Sequence, residues 1–282
     1  MGTELEIVAK GNISGGFKRE VSSILQDCYR RFGSKAPNKV EVQIVGNETT
    51  MRDLLRAEKI KLGITTSDEE EFSCSYDAWR GYPRIIVCSE RLAKLKKLTR
   101  MGVVRHEAAH SALHGSLEYC IFRIPKDCRH TAMIKGMDST VLEQALYYLS
   151  IAVKDFEATR FLVEHDYINC QVAFALEWLQ PSEKDKATWK LASANRQARF
   201  VYLMTLLKPV LFAHPLLSLP RSKKISLEQQ VYLGRRVEEL VEHLAEAERN
   251  KLLQVANMMV DSLNSDTHDN VDVALRQAMG LA

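Results

Sequence analysis

Residues 103–115 contain the motif H-E-x-x-H at positions 106–110. On an α-helix, two residues four positions apart lie on the same face, one turn apart in height, so two imidazoles can reach one ion. Glu107 then lies beside the first ligand, where it can take a proton from a metal-bound water whose pKa the ion lowers to about 7. The motif therefore predicts a helix that binds zinc through His106 and His110.

The residues around the motif favour a helix. Met101, Val104, Ala108 and Ala112 form an apolar stripe, no proline interrupts the segment, and Gly115 stands where a helix commonly ends. The alternative is a buried helix whose two histidines only form hydrogen bonds in the core. A core helix offers no reason for a carboxylate between the two imidazoles, so metal binding is the preferred interpretation.

The composition is that of an ordinary soluble globular protein, with 46% hydrophobic and 27% charged residues among 282. This length suits one large or two modest domains. The net charge is +3 with dispersed basic residues, so no nucleic-acid partner is predicted. The six cysteines are scattered without a C-x-x-C pair, which indicates free thiols. Because the first residues do not resemble a secretory signal, a cytoplasmic location is expected.

Residues 201–220 are mostly apolar and invite comparison with a membrane span. Lys208, Pro209, His214 and Pro215 fall within the segment, where hydrocarbon would leave their polar or backbone groups unsatisfied. We therefore expect no membrane partner, and predict a buried helix that ends near Lys208 and is followed by an apolar loop.

The hydrophobic periodicity predicts a mixed N-terminal part and a helical C-terminal part. Strands are predicted at residues 4–9, Lys39–Val45, 72–76 and Arg84–Cys88, and helices at 17–32, 50–60, 140–162, 173–179, 189–207, 227–244, 245–263 and 271–279, besides a short helix after Ser89 and the motif helix. Residues 127–138 are predicted to be irregular, residues 68–71 to be an exposed acidic turn, and residues 94–97 and 221–224 to be solvated basic faces.

A catalytic zinc ion usually has three protein ligands and one water, so a third residue must join the two histidines. Glu157 is the candidate, because it continues an apolar stripe and a buried carboxylate needs a cation or hydrogen bonds to compensate it. The alternative is an ion pair of Glu157 with Arg105 or Arg160. The stripe consists of Leu142, Leu146, Leu149 and Val153.

Three other residues compete for the third position. Glu164 lies two turns beyond Glu157 on a similar face, whereas Asp155 points away from that face by about 160°. His114 follows His110 by four residues, but another turn along the same helix adds about 6 Å, which is too far for a zinc bond of about 2.0 Å. His114 is therefore predicted to lie beside the ligands or at the surface.

The order of a strand, a short helix, the H-E-x-x-H helix and a second helix with a glutamate resembles the zincin metallopeptidases, and within them the compact minigluzincin type of gluzincin. The resemblance covers residues 39–165. It implies a zinc-dependent peptidase that acts on peptide or protein substrates. It also implies His106, His110 and Glu157 as ligands, Glu107 as general base and acid, and a substrate-binding strand edge formed by Arg84, Ile85, Ile86, Val87 and Cys88.

Two elements of that family pattern are unassigned in this sequence. Many gluzincins carry an aspartate three or four residues after the ligand glutamate, where this chain has Arg160 and Phe161, so the residue that orients the first histidine is not identified. The residue that stabilises the oxyanion is also open. The candidates for it are Tyr119, His130, Tyr148 and His165.

The sequence thus predicts an α+β, zincin-like chain. A small mixed-sheet lobe with the active-site helix is placed in residues 1–168, and a mostly helical domain in residues 169–282. The predicted function is zinc-dependent hydrolysis of peptide bonds. The alternatives are a catalytically weak metal-binding regulator or scaffold that retains the site, and a purely structural helical protein.

Overall fold

A computed structural model of the chain describes residues 2–64, 72–219 and 226–282, so the predicted acidic turn at 68–71 and basic cluster at 221–224 lie outside the described residues. The described residues form a mixed α+β structure with twelve α-helices and one four-stranded sheet. They divide into two compact units, each built from two segments, whereas the sequence predicted one boundary after residue 168. The first unit comprises Met1–Cys120 and Glu164–Phe174, and the second comprises Ile121–Val163 and Ala175–Ala282.

The first unit contains the sheet and the motif helix. Its elements are β1 (Glu4–Lys10), α1 (Gly15–Phe32), β2 (Lys39–Val45), α2 (Glu48–Leu62), β3 (Cys74–Asp77), β4 (Arg84–Cys88), α3 (Ser89–Lys94), α4 (Lys97–Leu113) and the beginning of α7 (Ile168–Trp178).

The sheet has the strand order β1-β2-β4-β3, in which β1, β2 and β4 are parallel and β3 is antiparallel to β4. Alternate residues of a strand face opposite sides. Helix α2 packs on the side that bears Val45, Ile86 and Cys88. Val42 and Ile44 face the other side and are also fully buried. Strand β2 is an interior strand and is buried on both faces, as is usual in parallel sheets.

Helix α4 is held against α1 and the sheet. The hydroxyl groups of Tyr29 in α1 and Ser111 in α4 lie 2.7 Å apart in a buried hydrogen bond. At the other end of α4, Arg100 forms an ion pair of 2.9 Å with Glu20 of α1. The predicted motif helix is thereby confirmed, and it ends at Leu113 with His114 as its C-cap. These contacts fix the direction in which the motif side chains point.

Gly102 allows α4 to approach α7 closely. A Cβ atom at Gly102 would lie 2.2 Å from the carbonyl oxygen of Cys170 and 2.9 Å from the Cβ of Phe174. The side-chain amide of Gln171 donates a hydrogen bond of 2.9 Å to the carbonyl of Gly102. The two helix backbones are therefore in direct contact at this point, and no side chain fits between them.

We expect Gly102→Ala to lower the free energy of unfolding by about 1–3 kcal/mol, because the added methyl group must displace the backbone of α7. The measurement is urea unfolding followed by circular dichroism. Gly234→Ala in a helix of the second unit is the control, since the nearest atom to its Cβ would be 3.8 Å away and alanine favours helix. A Gly102→Ala protein as stable as the wild type would contradict this close packing.

The second unit is helical throughout the part that the structure describes. Its elements are α5 (Lys126–Ile134), α6 (Ser139–Glu164, up to Val163), the end of α7, α8 (Glu183–Ala192), α9 (Arg196–Leu217), α10 (Leu227–Val241), α11 (Glu246–Ser262) and α12 (Thr267–Ala278). Helix α9 packs against α10 and α11, and α12 packs against α11 and α5.

The prediction of irregular structure at residues 127–138 was wrong, because most of this segment forms α5. Its sequence is largely polar, but Cys128 and Ala132 are four residues apart and both are buried. An ion pair of 2.7 Å between Asp127 and Arg276 joins α5 to α12. Tertiary contacts therefore stabilise a helix in a segment whose own hydrophobic periodicity is weak.

The predicted end of a helix near Lys208 was also wrong, because α9 continues to Leu217 with Pro209 and Pro215 inside it. A proline in a helix costs about 3 kcal/mol. Val210, Leu211 and the following apolar residues are buried, and their burial offsets that cost. With 22 residues, α9 is long and apolar enough to span a membrane, but 67% of its most apolar window is buried inside the protein, as in a core helix.

Candidate metal centre

Helix α4 brings the imidazoles of His106 and His110 together. Their Nε2 atoms are 3.0 Å apart, and their ring planes are nearly perpendicular, at 86°. Two nitrogens bound to one tetrahedral zinc ion at 2.0–2.1 Å lie about 3.3 Å apart. The two nitrogens are therefore close to the separation that a shared ion requires. Both side chains are buried.

One buried carboxylate is grouped with the two histidines. In the part of the chain that the structure describes, one group of three buried side chains could bind a metal ion, namely His106, His110 and Asp155. One ligand atom from each lies within 4.8 Å of the others. Two imidazoles and one carboxylate are a donor set that zinc accepts, but other first-row divalent ions accept it as well. The donor set therefore supports a metal site without selecting the metal.

Glu157, the predicted third ligand, is placed differently. Its buried carboxylate accepts a hydrogen bond of 2.8 Å from the hydroxyl group of Thr267 and one of 2.6 Å from the side-chain amide of Asn270, both in α12. Hydrogen bonds from α12 thus compensate the buried charge of Glu157, for which the sequence predicted a metal ion. Glu164, a rival, is exposed at the end of α6.

Asp155 lies on a different face of α6 from Glu157, the residue that the sequence predicted as third ligand. Helix α6 is buried on more than the face of its leucine stripe, because Asp155 and Glu157 are both buried, at 7% and 6% exposure. A helix buried on several faces has no single inward direction. The sequence contained a signal for a buried carboxylate, because α6 carries two closely spaced acidic residues within an apolar helix. That signal did not show which of the two would bind a metal ion.

His114 and Tyr76 surround His110. The Nδ1 atoms of His110 and His114 are 3.1 Å apart, and His114 is only 1% exposed. The ring of Tyr76 in β3 stacks on His110 at 5.7 Å with an interplanar angle of 9°, and its hydroxyl group donates to the carbonyl of His114. Burial raises the pKa of Tyr76, so this phenol remains a donor at neutral pH. No motif or spacing in the sequence predicted a role for Tyr76.

Glu107 is partly exposed and lies within electrostatic range of β3. Burial raises the pKa of the Cys74 thiol, and the negative charge of Glu107 raises it further. The same charge contributes to the raised pKa of Tyr76, after burial and the smaller effects of Cys120 and Asp77. The Cys74 thiol therefore stays protonated at neutral pH in the metal-free protein. Glu107 is thus the residue of the motif that solvent reaches, since His106 and His110 are buried.

The prediction that β4 offers a substrate-binding edge was wrong. Residues Arg84–Cys88 pair with β2 on one side and with β3 on the other, so both edges of β4 are occupied. The guanidinium of Arg84 is 1% exposed and forms ion pairs with Asp77, at 2.8 Å, and with Glu58. In the described residues β3 lies at the end of the sheet and contacts α4. In the part of the chain that the structure describes, the sheet edge next to the motif helix therefore belongs to β3.

The four candidates for oxyanion stabilisation lie in different surroundings. Tyr119 packs edge-on against His114, with ring centroids 5.5 Å apart. His165 packs against Phe32 of α1 at 5.2 Å. His130 is exposed on α5, and Tyr148 is partly buried on α6. Of these four, Tyr119 contacts His114, which itself lies beside His110 of the motif.

Comparison with protein-family models, curated proteins and solved structures found no match for this chain. Its function therefore has to be inferred from the residues and geometry of the site.

Proposed function

We propose that the chain is a zinc-dependent metallopeptidase, with His106, His110 and Asp155 as ligands and Glu107 as general base. The observation that carries the proposal is the pair of Nε2 atoms 3.0 Å apart, with a buried carboxylate in the same group. Glu107 directly follows the first of these histidines, as the H-E-x-x-H arrangement requires. The zincin resemblance of the sequence supports the same assignment, with Asp155 in place of Glu157.

The catalytic roles follow from the chemistry of these groups. A zinc ion, when bound, supplies a water of lowered pKa and polarises the scissile carbonyl. The carboxylate of Glu107 accepts a proton from the attacking water and delivers it to the leaving amine. His106 and His110 would hold the ion through neutral Nε2 atoms, and Asp155 would add a negative charge. Six free cysteines support our proposal of a reducing, cytoplasmic location.

We propose that β3, rather than β4, receives the peptide substrate. An extended peptide can add to an unpaired strand edge through main-chain hydrogen bonds. Strand β3 pairs with β4 through Cys74–Asp77, and it is the end strand of the sheet in the described residues. Tyr76 of β3 stacks on His110, so a peptide along this strand would pass beside the motif helix.

A second candidate function is a structural or regulatory metal site without turnover. The observation that favours it is burial, because His106 and His110 are only 4% and 7% exposed and Asp155 is 7% exposed. A structural zinc site is closed by protein ligands, whereas a catalytic site keeps one position open. The two functions therefore differ in whether water and substrate reach the ion.

We expect the protein loaded with zinc to cleave a mixture of unstructured peptides, and the same protein stripped with a chelator to cleave none until zinc is restored. Peptide masses before and after incubation measure the cleavage. Zinc binding without any cleavage would overturn the peptidase and favour the regulatory site. Cleavage that persists without metal would show that another mechanism operates.

A further inference from the structure

We propose that His114 is a positioning residue that holds His110 in the tautomer and orientation needed for metal binding. The inference rests on the proposed metal site and adds a residue to it. His114 follows His110 by four positions, so the two side chains meet at the end of α4.

The two ring nitrogens of His110 face different neighbours. Its Nε2 lies 3.0 Å from Nε2 of His106, and its Nδ1 lies 3.1 Å from Nδ1 of His114. A metal ion at the Nε2 side requires a lone pair there, so the proton of neutral His110 must be on Nδ1. That N–H then donates to the lone pair of His114 Nδ1, and His114 carries its own proton on Nε2.

The position of His114 is fixed by its neighbours. Its backbone N–H donates to the carbonyl of His110 at 2.7 Å, and its carbonyl accepts from the hydroxyl group of Tyr76. Its ring packs edge-on against Tyr119. His114 is therefore a preorganised acceptor rather than a mobile side chain. It contacts the Nδ1 side of His110, away from the Nε2 atom that faces the ion.

This arrangement uses a neutral imidazole where metal-bound histidines usually have a carboxylate or a carbonyl as partner. The histidine partner holds the ring and selects the tautomer without adding a negative charge beside the ion. Removing such a partner typically weakens metal binding 10- to 100-fold. His114 thus affects the affinity for the metal without contacting it.

The test compares zinc dissociation constants of the full chain, measured by competition with a chromophoric chelator. We expect His114→Phe, which keeps a ring of similar size, to bind zinc about 10- to 100-fold more weakly than the wild type. His114→Gln, whose amide oxygen can accept the hydrogen bond, should recover part of the loss. His268→Phe is the matched control, since His268 is an exposed histidine of α12, and it should bind like the wild type.

Two further readouts separate a positioning role from a general loss of structure. The absorption spectrum of the cobalt-substituted protein should change in His114→Phe, because His110 is free to rotate, whereas thermal unfolding of the metal-free protein should change little. If His114→Phe unfolds, the zinc affinity of His114→Gln decides. Wild-type affinity in the folded variants would overturn the role of His114 alone. A wild-type chain that binds no zinc would instead overturn the proposed function.

Discussion

Glu107→Gln is expected to lower the rate of peptide hydrolysis by about 10²- to 10⁴-fold while zinc remains bound. Glutamine has nearly the same size as glutamate, but its amide cannot accept the proton from the attacking water. His106, His110 and Asp155 are unchanged in this variant, so the proposed ligand set is intact. The measurement is kcat on one cleaved peptide, together with the zinc content of the same preparation.

The control for this experiment is Glu118→Gln, which changes the same chemical group at an exposed position after α4. It should cleave peptides like the wild type. If Glu107→Gln keeps full activity, Glu107 is not the general base. If it loses zinc, its effect on the rate no longer identifies a catalytic role.

Asp155→Asn is expected to weaken zinc binding by more than about 100-fold, whereas Glu157→Gln should bind zinc like the wild type. Replacing a ligand should cost at least as much as the 10- to 100-fold that follows loss of a residue supporting a ligand. The reason for the contrast is that Asp155 belongs to the buried group with the two histidines. Glu157 accepts its hydrogen bonds from Thr267 and Asn270.

The two variants should also differ in the urea midpoint of unfolding of the metal-free protein. Hydrogen bonds to a charged group contribute about 1.5–3 kcal/mol each, so Glu157→Gln should unfold at lower urea concentration than the wild type. Both zinc affinity and urea midpoint are measured on the two proteins side by side. A loss of zinc in Glu157→Gln with normal binding in Asp155→Asn would restore Glu157 as the third ligand.

The local elements of the first unit could be predicted from the sequence. Strands β2 and β4 have the predicted ends, because runs of β-branched residues are bounded there by residues that favour turns. Helix α4 was predicted from its stripe of small and apolar residues, which pack against α1 and the sheet. These signals come from residues that are close together in the sequence. Their hydrophobic periodicity directly reflects which side chains are buried.

The strand order and parts of the second unit could not be predicted from the sequence, because they depend on contacts between residues that are distant along the chain. Nothing in the composition of β4 distinguishes an interior strand between β2 and β3 from a strand at the edge. Helix α9 passes through two prolines because its apolar residues are buried, and α5 forms because α12 packs on it. The choice between Asp155 and Glu157 has the same origin, since α12 supplies the partners of Glu157.

The most direct test of the metal site compares the zinc content of the purified wild-type chain with that of His106→Ala. Zinc is measured by elemental mass spectrometry after dialysis. The proposed site predicts about one zinc ion per wild-type chain and almost none in the variant. A wild-type chain without bound metal, or a His106→Ala chain with the same zinc content, would contradict it.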